Sequence, residues 1–395
     1  MPTSNCIKHP KLCILSLSII HQDGRVLRQI DYASRHYDVT VIGWGGLDKE
    51  RPGVRMLPVR KRILPPTQRL IQATLMLAGR SSPTFWERWY WRKPDHQRAL
   101  DCLLQSSPDL IHVNEAIALP IAIEAAATLG TKVLFDAHEY SPGNRSDLLW
   151  RIFAGPLHSH LIRAYAPKTD RMITVAYGIA QRYAQELGID VDVIMNTPAY
   201  RQHPFRQTDP DRIGLVHHGA AIPERKLETM IDVIALTDAR YTLDFMLVNS
   251  SDGYIERLIT LSRKLAPGRV SFRPPVPPEH ITEAISNYDI GLFLLPPANF
   301  SYANALPNKF FEFMMAGLAV AIGPSPEMAR ICTESKIGLV SEDFAPVRLA
   351  EKLNKLTNSQ IDTMKRNSLS AAKVYNADRE MRKLLGIYDD VLHNR

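Results

Sequence analysis

The chain has 395 residues, 45% hydrophobic and 23% charged, which is an ordinary globular composition and long enough to favour two domains or more over one core. Four cysteines, Cys6, Cys13, Cys102 and Cys332, stand without CxxC spacing, which argues against a disulfide framework and against a thiolate zinc site. The net charge of +7 is unevenly placed, because residues 51 to 100 hold eleven Lys or Arg against Glu87 and Asp95, an excess above that of the whole chain.

In chain order, "KLCILSLSII" (11 to 20) reads as a buried strand, "HQDGR" as a loop, and the amphipathic stretch to about Arg35 as a helix. The N-terminal region lacks a basic flank followed by an apolar run and a small-residue cleavage site, and no apolar run reaches about 18 residues. The expectation is therefore a cytoplasmic protein with no spanning segment. "DVTVIGWGG" (38 to 46) is a second strand. The basic window follows, and within it "FWERWYWRK" (85 to 93) interleaves rings with cations. That pattern suits an anionic membrane surface, and it reads equally as a solvated basic face over buried rings. Nucleic acid, which also uses rings and cations, is not expected, since no recognition motif accompanies them.

"PDLIHVNE" (108 to 115), "TKVLFDAHE" (131 to 139) and "DRMITVA" (170 to 176) continue the strands, with helices predicted over 117 to 129 and about 146 to 166. Strands alternating with helices imply a parallel sheet covered on both faces. Periodicity lapses over "NTPAYRQHPFRQTDPDR" (196 to 212), which reads as a linker. Alternation then restarts with "IGLVHHG" (213 to 219), "YTLDFMLVN" (241 to 249), "RVSFRPP", "DIGLFLLPP" (289 to 297) and "IGLVSED" (337 to 343). The expected architecture is α/β, with one Rossmann-like domain over 1–197, a second over 211–377, and a last helix from about 378 to 395 packing back on the first. Two doubly wound parallel sheets of this kind would face one another across a cleft at the carboxyl ends of their strands. No GxGxxG follows the first strand, which gives a nicotinamide cofactor little support.

The segment "PNKFFEFMMAGLAVAIG" (307 to 323) is apolar except for Lys309 and Glu312. A helix is predicted from near 305 to Ala316, with Pro307 in its first turn and Gly317 ending it. A carboxylate in a helix that is apolar almost all round needs a partner, either Lys309 three residues back or a ligand over the helix start. The internal cap available to the first-turn amides is Asn304. If Asn304 faces elsewhere, those amides and Lys309 make an anion site. No HExxH or DxD-type cluster points to a metal. His217 and His218 adjoin on a strand and so point to opposite faces, which makes them a poor chelating pair.

"NALPNKFFEFMMAGLAVA" resembles the donor-nucleotide segment of GT-B glycosyltransferases of the retaining family 4 type, in which two carboxylates lie eight positions apart before a strand. "PDLIHVNE", "FDAHE", "HHGAAIPERKLE", "YDIGLFLLPP" and the terminal "GIYDDVL" agree in order and spacing, so the resemblance spans nearly the whole chain. It implies a sugar transferred with retention from a nucleotide diphosphate donor, UDP- or GDP-linked, to a glycan or lipid-linked acceptor. It implies no further cofactor and no metal. By the same resemblance Glu312 meets the ribose, and Asn304 stands where the family has its first glutamate. The phosphate-binding Arg and Lys of the family fall on Ala220 and Arg225, so Lys309, Lys226 and the helix amides are the expected substitutes, with Gly219 and Asn308 beside them. His138 matches the histidine beside the reacting sugar, which makes His138, Asn304 and Arg225 the expected catalytic contacts. Asp23, Arg25, Asn114, Glu115 and Glu139 are acceptor-side candidates, and loop capping explains them equally well. Two other classes share the nucleotide site, a GT-B epimerase and a catalytically silent scaffold subunit. The basic window would dock the transferase on the inner face of the cell membrane.

Overall fold

The computed structural model describes residues 9–61, 66–143 and 150–393, and the chain divides into two compact units. The first unit is Met1–Ile194 with Met381–Arg395, and the second is Met195–Glu380. The stretch read as a linker therefore belongs entirely to the second unit, and the terminal helix Ala377–His393 is shared between the two. Cys6, Arg62 and the predicted start of a helix at 146–149 lie outside the described residues.

In the first unit seven strands form one sheet: β1 (Lys11–Ile19), β2 (Asp38–Trp44), β3 (Val54–Val59), β4 (Leu110–Asn114), β5 (Lys132–Asp136), β6 (Arg171–Thr174) and β7 (Val191–Val193). Their order is β3-β2-β1-β4-β5-β6-β7, and every neighbouring pair is parallel. The apolar runs of β1 and β4 are buried because helices cover both faces of such a sheet. The sequence pattern does not predict β3 and β7. β3 carries Arg55 and Pro58 and lies at an edge, where a proline is tolerated, while β7 is only three residues long. The terminal helix joins this core through Met381, Leu384, Ile387, Tyr388 and Val391. The buried Tyr388 hydroxyl hydrogen-bonds His112 Nδ1 on β4 at 2.6 Å.

The second unit has β8 (Ile213–Ala221), β9 (Tyr241–Asn249), β10 (Val270–Arg273), β11 (Ile290–Phe293), β12 (Ala319–Ile322) and β13 (Gly338–Val340). They pair in parallel in the order β10-β9-β8-β11-β12-β13. In both sheets the strand order reverses once, between β1 and β4 and between β8 and β11, and loops at such a reversal open a crevice at the strands' carboxyl ends.

The segment between β11 and β12 differs from the helix predicted over 305 to 316. Two helices occur, Phe300–Ala303 and Asn308–Met315, with Pro307 as the extended N-cap of the second. The residue before a proline is steered away from helical backbone, which separates the two. Phe310, Phe311, Phe313, Met314 and Met315 are fully buried, as the pattern required. The helix ends in a Schellman motif: Leu318 N–H donates to the Phe313 carbonyl at 3.0 Å and Gly317 N–H to that of Met314 at 3.1 Å, with Gly317 at φ +75°.

Phe313 lies on β11 where only a glycine leaves room, since a Cβ at Gly291 would come within 2.1 Å of its ring. Gly291→Ala should therefore push the Asn308–Met315 helix off the sheet and lower stability by about 1–3 kcal/mol, read from urea unfolding of the whole chain. An unchanged midpoint would mean that Phe313 has room to move.

Candidate functional site

In the second unit, β8 and the Asn308–Met315 helix bring together residues from both halves of the expected donor site. Lys309 is 6% exposed, and its ammonium donates to His217 Nε2 at 3.1 Å. The same ammonium lies 4.7 Å from the centre of the Phe293 ring. Among the described residues no carboxylate comes within 4 Å of it, so the intrahelical pair with Glu312 is not formed. Burial, and then Arg225, push the lysine well below its ordinary range, while Glu312 opposes them.

Glu312 is half-buried, with Oε2 3.4 Å from His218 Nε2. His218 is itself pushed down to about 3 by burial and by Lys309, so the imidazole is neutral at physiological pH. Gly219 follows at φ +115°, and a Cβ there would lie 3.3 Å from Lys309 Nζ. Arg225 ends a short 3-10 turn (Pro223–Arg225), partly exposed, and Lys226 follows in left-handed backbone at φ +49°. Asn308 opens its helix and is exposed, and among the described residues no side-chain cap is made at that helix's N-cap, Pro307.

Of the two alternatives for Asn304, the second is observed, and it faces away from the Asn308–Met315 helix. It caps the C-terminus of the preceding helix, and its Nδ2 donates to the Phe300 carbonyl at 3.0 Å. The amide nitrogen is thus used locally; in the first turn of the Asn308–Met315 helix the Phe310 N–H donates to the Pro307 carbonyl at 3.0 Å, and the Asn308 and Lys309 N–H groups receive no side-chain cap from the N-cap residue Pro307. His217 and His218, which the sequence marks only as a poor chelating pair, belong to this site. Their signal is two imidazoles inside an otherwise apolar strand, which need polar partners once buried.

In the first unit the acceptor-side candidates gather at the carboxyl ends of β1, β4 and β5. Asp136 is fully buried and takes Arg25 Nε at 2.7 Å, Arg25 Nη2 at 3.1 Å and Gln29 Nε2 at 2.9 Å, while Arg25 Nη1 donates to the Ile194 carbonyl at 2.9 Å. Burial would raise this carboxyl, but Arg25, His138 and His112 hold it well below the usual carboxylate range. Asp23 caps the helix α1 (Gly24–Ala33), accepting from Arg25 N and Val26 N at 3.2 Å, and also takes the Ser18 hydroxyl at 2.8 Å. Asp23 and Arg25 therefore have complete internal roles.

His138 is in left-handed backbone at φ +55°, with Nε2 donating to Asn114 Oδ1 at 2.9 Å and Nδ1 4.0 Å from Glu115 Oε1. Burial lowers its basicity. Glu115, also left-handed at φ +64°, is pushed up to about 7 by desolvation and by Asp23, Glu139 and Asp136. Glu139 is exposed, and its carbonyl accepts from the Tyr183 hydroxyl at 2.9 Å. His138 and Glu115 thus form a partly accessible pair, suited to contact a hydroxyl-bearing ligand.

The basic window divides differently from its pattern. In the helices α2 (Pro66–Ala78) and α3 (Pro83–Trp91), Trp86, Trp89 and Tyr90 are buried, Trp86 Nε1 donates to the Met76 carbonyl, and the Lys93 ammonium lies 4.0 Å over the Trp89 ring. Arg51 is tied to Asp31 and Asp48. Arg80, Arg88 and Arg92 are exposed, with Ile71 (60%), Leu77 (45%) and Phe85 (39%) as exposed apolar side chains.

Residues 30–198 match the model of Glycosyltransferase Family 4, a stretch that contains His138 but not the 304–320 motif. Several solved structures share the whole fold. Sucrose-phosphate synthase from Thermosynechococcus elongatus has a TM-score of 0.73 at 14% identity, over 98% of this chain and 100% of that one. HepE from Anabaena in complex with UDP gives 0.70 at 15%, over 96% and 100%. A glycosyltransferase from Rickettsia africae gives 0.69 at 13%, over 98% and 100%. A comparison with curated protein sequences finds no significant match. The two parallel sheets and these likenesses define a GT-B fold, and the resemblance read from the sequence, to GT-B glycosyltransferases of the family 4 type, is borne out.

The two buried charges predict opposite responses. Asp136→Asn leaves Arg25 buried without its counter-charge and should cost about 3–5 kcal/mol. Because the Asp136 pKa is depressed in the fold, its contribution is present in full above about pH 4 and is lost as pH falls further. Lys309→Met removes a cation that folding must desolvate, a penalty present below the unfolded pKa near 10.4, so at neutral pH it should raise the melting temperature of the ligand-free protein by roughly 2–4 °C per kcal/mol recovered. A loss of stability in Lys309→Met would mean that its ammonium is already well compensated.

Proposed function

We propose that the protein is a glycosyltransferase that moves a sugar from a nucleotide diphosphate donor to a glycan or lipid-linked acceptor. The observation that carries this reading is the buried Lys309, which has an imidazole and a ring for partners and no carboxylate within 4 Å among the described residues. A buried cation of that kind is stabilised by an anion brought in from outside. The uncapped amides of the Asn308–Met315 helix and Arg225 add positive potential for a diphosphate. Glu312, three residues along the same helix, is placed to accept from ribose hydroxyls. HepE and trehalose-phosphate synthase structures bear UDP or are described as UDP-forming, which supports a nucleotide donor here, UDP first.

In this reading Lys309, Arg225 and the helix amides stabilise the negative charge that develops on the leaving diphosphate. That charge can be met by the chain's own cations, and we propose a metal-independent, retaining transfer in which the leaving phosphate assists the incoming hydroxyl on the same face. Acceptor contacts are assigned to His138 and Glu115 of the first unit. Asn304, with its amide nitrogen engaged by Phe300, keeps a carbonyl oxygen to accept from a donor sugar hydroxyl.

Thermal melting with UDP, GDP and ADP tests the donor site, since a ligand of the native state raises the melting point. One of the three should stabilise the chain, and Glu312→Ala should abolish that shift while the ligand-free melting point changes little. Nucleotide binding with no turnover on any acceptor would favour the silent scaffold, turnover of the nucleotide sugar without an acceptor the epimerase, and no binding at all would defeat the donor-site reading.

Arg80, Arg88 and Arg92 are exposed in the same stretch of chain as the exposed Ile71, Leu77 and Phe85, which supports docking on an anionic membrane, with each cation near the surface contributing about 1 kcal/mol. Sedimentation with phosphatidylserine vesicles should fall sharply on reversing Arg88 and Arg92 to Glu, and binding that survives this change would sink the docking reading.

A further inference from the structure

His217 is fully buried in the middle of β8, with nothing in its own strand to explain a polar side chain. Its Nδ1 donates to the Leu292 carbonyl on β11 at 2.9 Å. This leaves the Nε2 lone pair facing the Lys309 ammonium at 3.1 Å. The ring is held from two sides, stacked on Phe293 at 5.7 Å and edge-on to Phe245 at 5.8 Å, so it cannot turn to exchange the two nitrogens. Gly219, two residues on, supplies the space that the ammonium occupies.

A buried lysine held by a carboxylate would be neutralised and lost to a ligand. A buried lysine with no acceptor would have nothing to fix its direction. A neutral imidazole locked in one tautomer does a third thing, since it orients the ammonium without cancelling its charge. We infer that His217 is the positioning residue for Lys309: it accepts a hydrogen bond from one ammonium N–H and leaves the other two N–H groups, with the whole charge, to the phosphoryl oxygens of a nucleoside diphosphate. This deepens the donor-site reading and rests on it. It also accounts for how the site works with Ala220 at the position where the family resemblance expects an arginine.

The groups facing Lys309 are His217 and His218 from β8, Arg225 from the turn after it, and Glu312 from its own helix, and none but His217 hydrogen-bonds its ammonium among the described residues. Calorimetry with UDP and with uridine isolates the phosphate contribution, as the ratio of the two affinities. His217→Phe, which suits the surrounding rings, should reduce that ratio by about tenfold or more, the effect of losing a hydrogen bond to a charged group, with uridine affinity unchanged. His217→Gln, whose amide can accept from Lys309, should recover part of the loss. Should His217→Phe not fold, His217→Asn keeps the bond to Leu292 without reaching Lys309 and carries the same expectation. A ratio unchanged in His217→Phe but lost in Lys309→Met would overturn the positioning role and leave the donor site standing. A ratio unchanged in Lys309→Met would overturn the donor-site reading itself.

Discussion

A charge taken out of water must be met by another charge or by a dense set of hydrogen bonds, and the two units of this chain satisfy that constraint in opposite ways. In the first, Asp136 is surrounded: Arg25 in a two-point pair, Gln29, and the His138 backbone N–H at 3.2 Å leave it little capacity for anything else. The carboxylate is an internal fastening, joining β5 to α1 and, through Arg25, to the chain at Ile194. In the second, Lys309 is nearly as deep and has one imidazole and one ring. The first arrangement reads as architecture and the second as a site, although each is a single buried ionic residue, one at the carboxyl end of β5 and the other in the first turn of a helix between β11 and β12.

That position follows from topology. Where a parallel sheet reverses its strand order, the loops leaving the two central strands part and expose backbone that no neighbouring strand covers. Two polar residues at these ends adopt backbone that side chains rarely take, Glu115 after β4 at φ +64° and His138 after β5 at φ +55°. Non-glycine residues in that region each carry a cost of order 1–3 kcal/mol, held in place by what surrounds them. For His138 the surroundings are visible, since Thr174 donates to its carbonyl at 3.0 Å and Asn114 fixes its ring. The fold thus uses buried hydrogen bonds to hold the His138–Glu115 pair in a strained turn.

Strands buried on both faces leave continuous apolar runs, so the two α/β halves are legible in the sequence, and the alternation at 11–46, 108–176 and 213–343 reproduces most of the observed strands. What fails depends on neighbours that a single sequence does not display. β3 goes unassigned within the basic window because an edge strand tolerates Arg55 and Pro58, which break the apolar pattern. The rings of 85–93 look interfacial because their period does not reveal that Trp86, Trp89 and Tyr90 close over a core. Asn304 looks like a cap because the break at Pro307 moves the helix start by three residues and gives Asn304 a different helix to end. Glu312 and Lys309 are legible, being charges in an apolar segment, whereas His217 is not, as its role exists only through a lysine 92 positions away.

The departures at 220 and 304 both remove formal charge from positions where the family resemblance carries it. Losing an arginine and a glutamate together leaves the local net charge unaltered, so the loss of one charge need not leave the other unopposed. What remains is a smaller set, Lys309 and Arg225 against Glu312, with the lysine more deeply buried than a surface cation would be. Coulombic interaction strengthens as water is excluded, so fewer cations at greater depth can exert on a diphosphate what more numerous exposed ones would. The condition is that the buried cation be aimed, because a mobile ammonium in an apolar cavity has no preferred direction. His217 meets that condition. On these grounds the imidazole in β8 and the missing arginine three residues further on belong to one design, in which orientation by a neutral partner takes the place of a second charge.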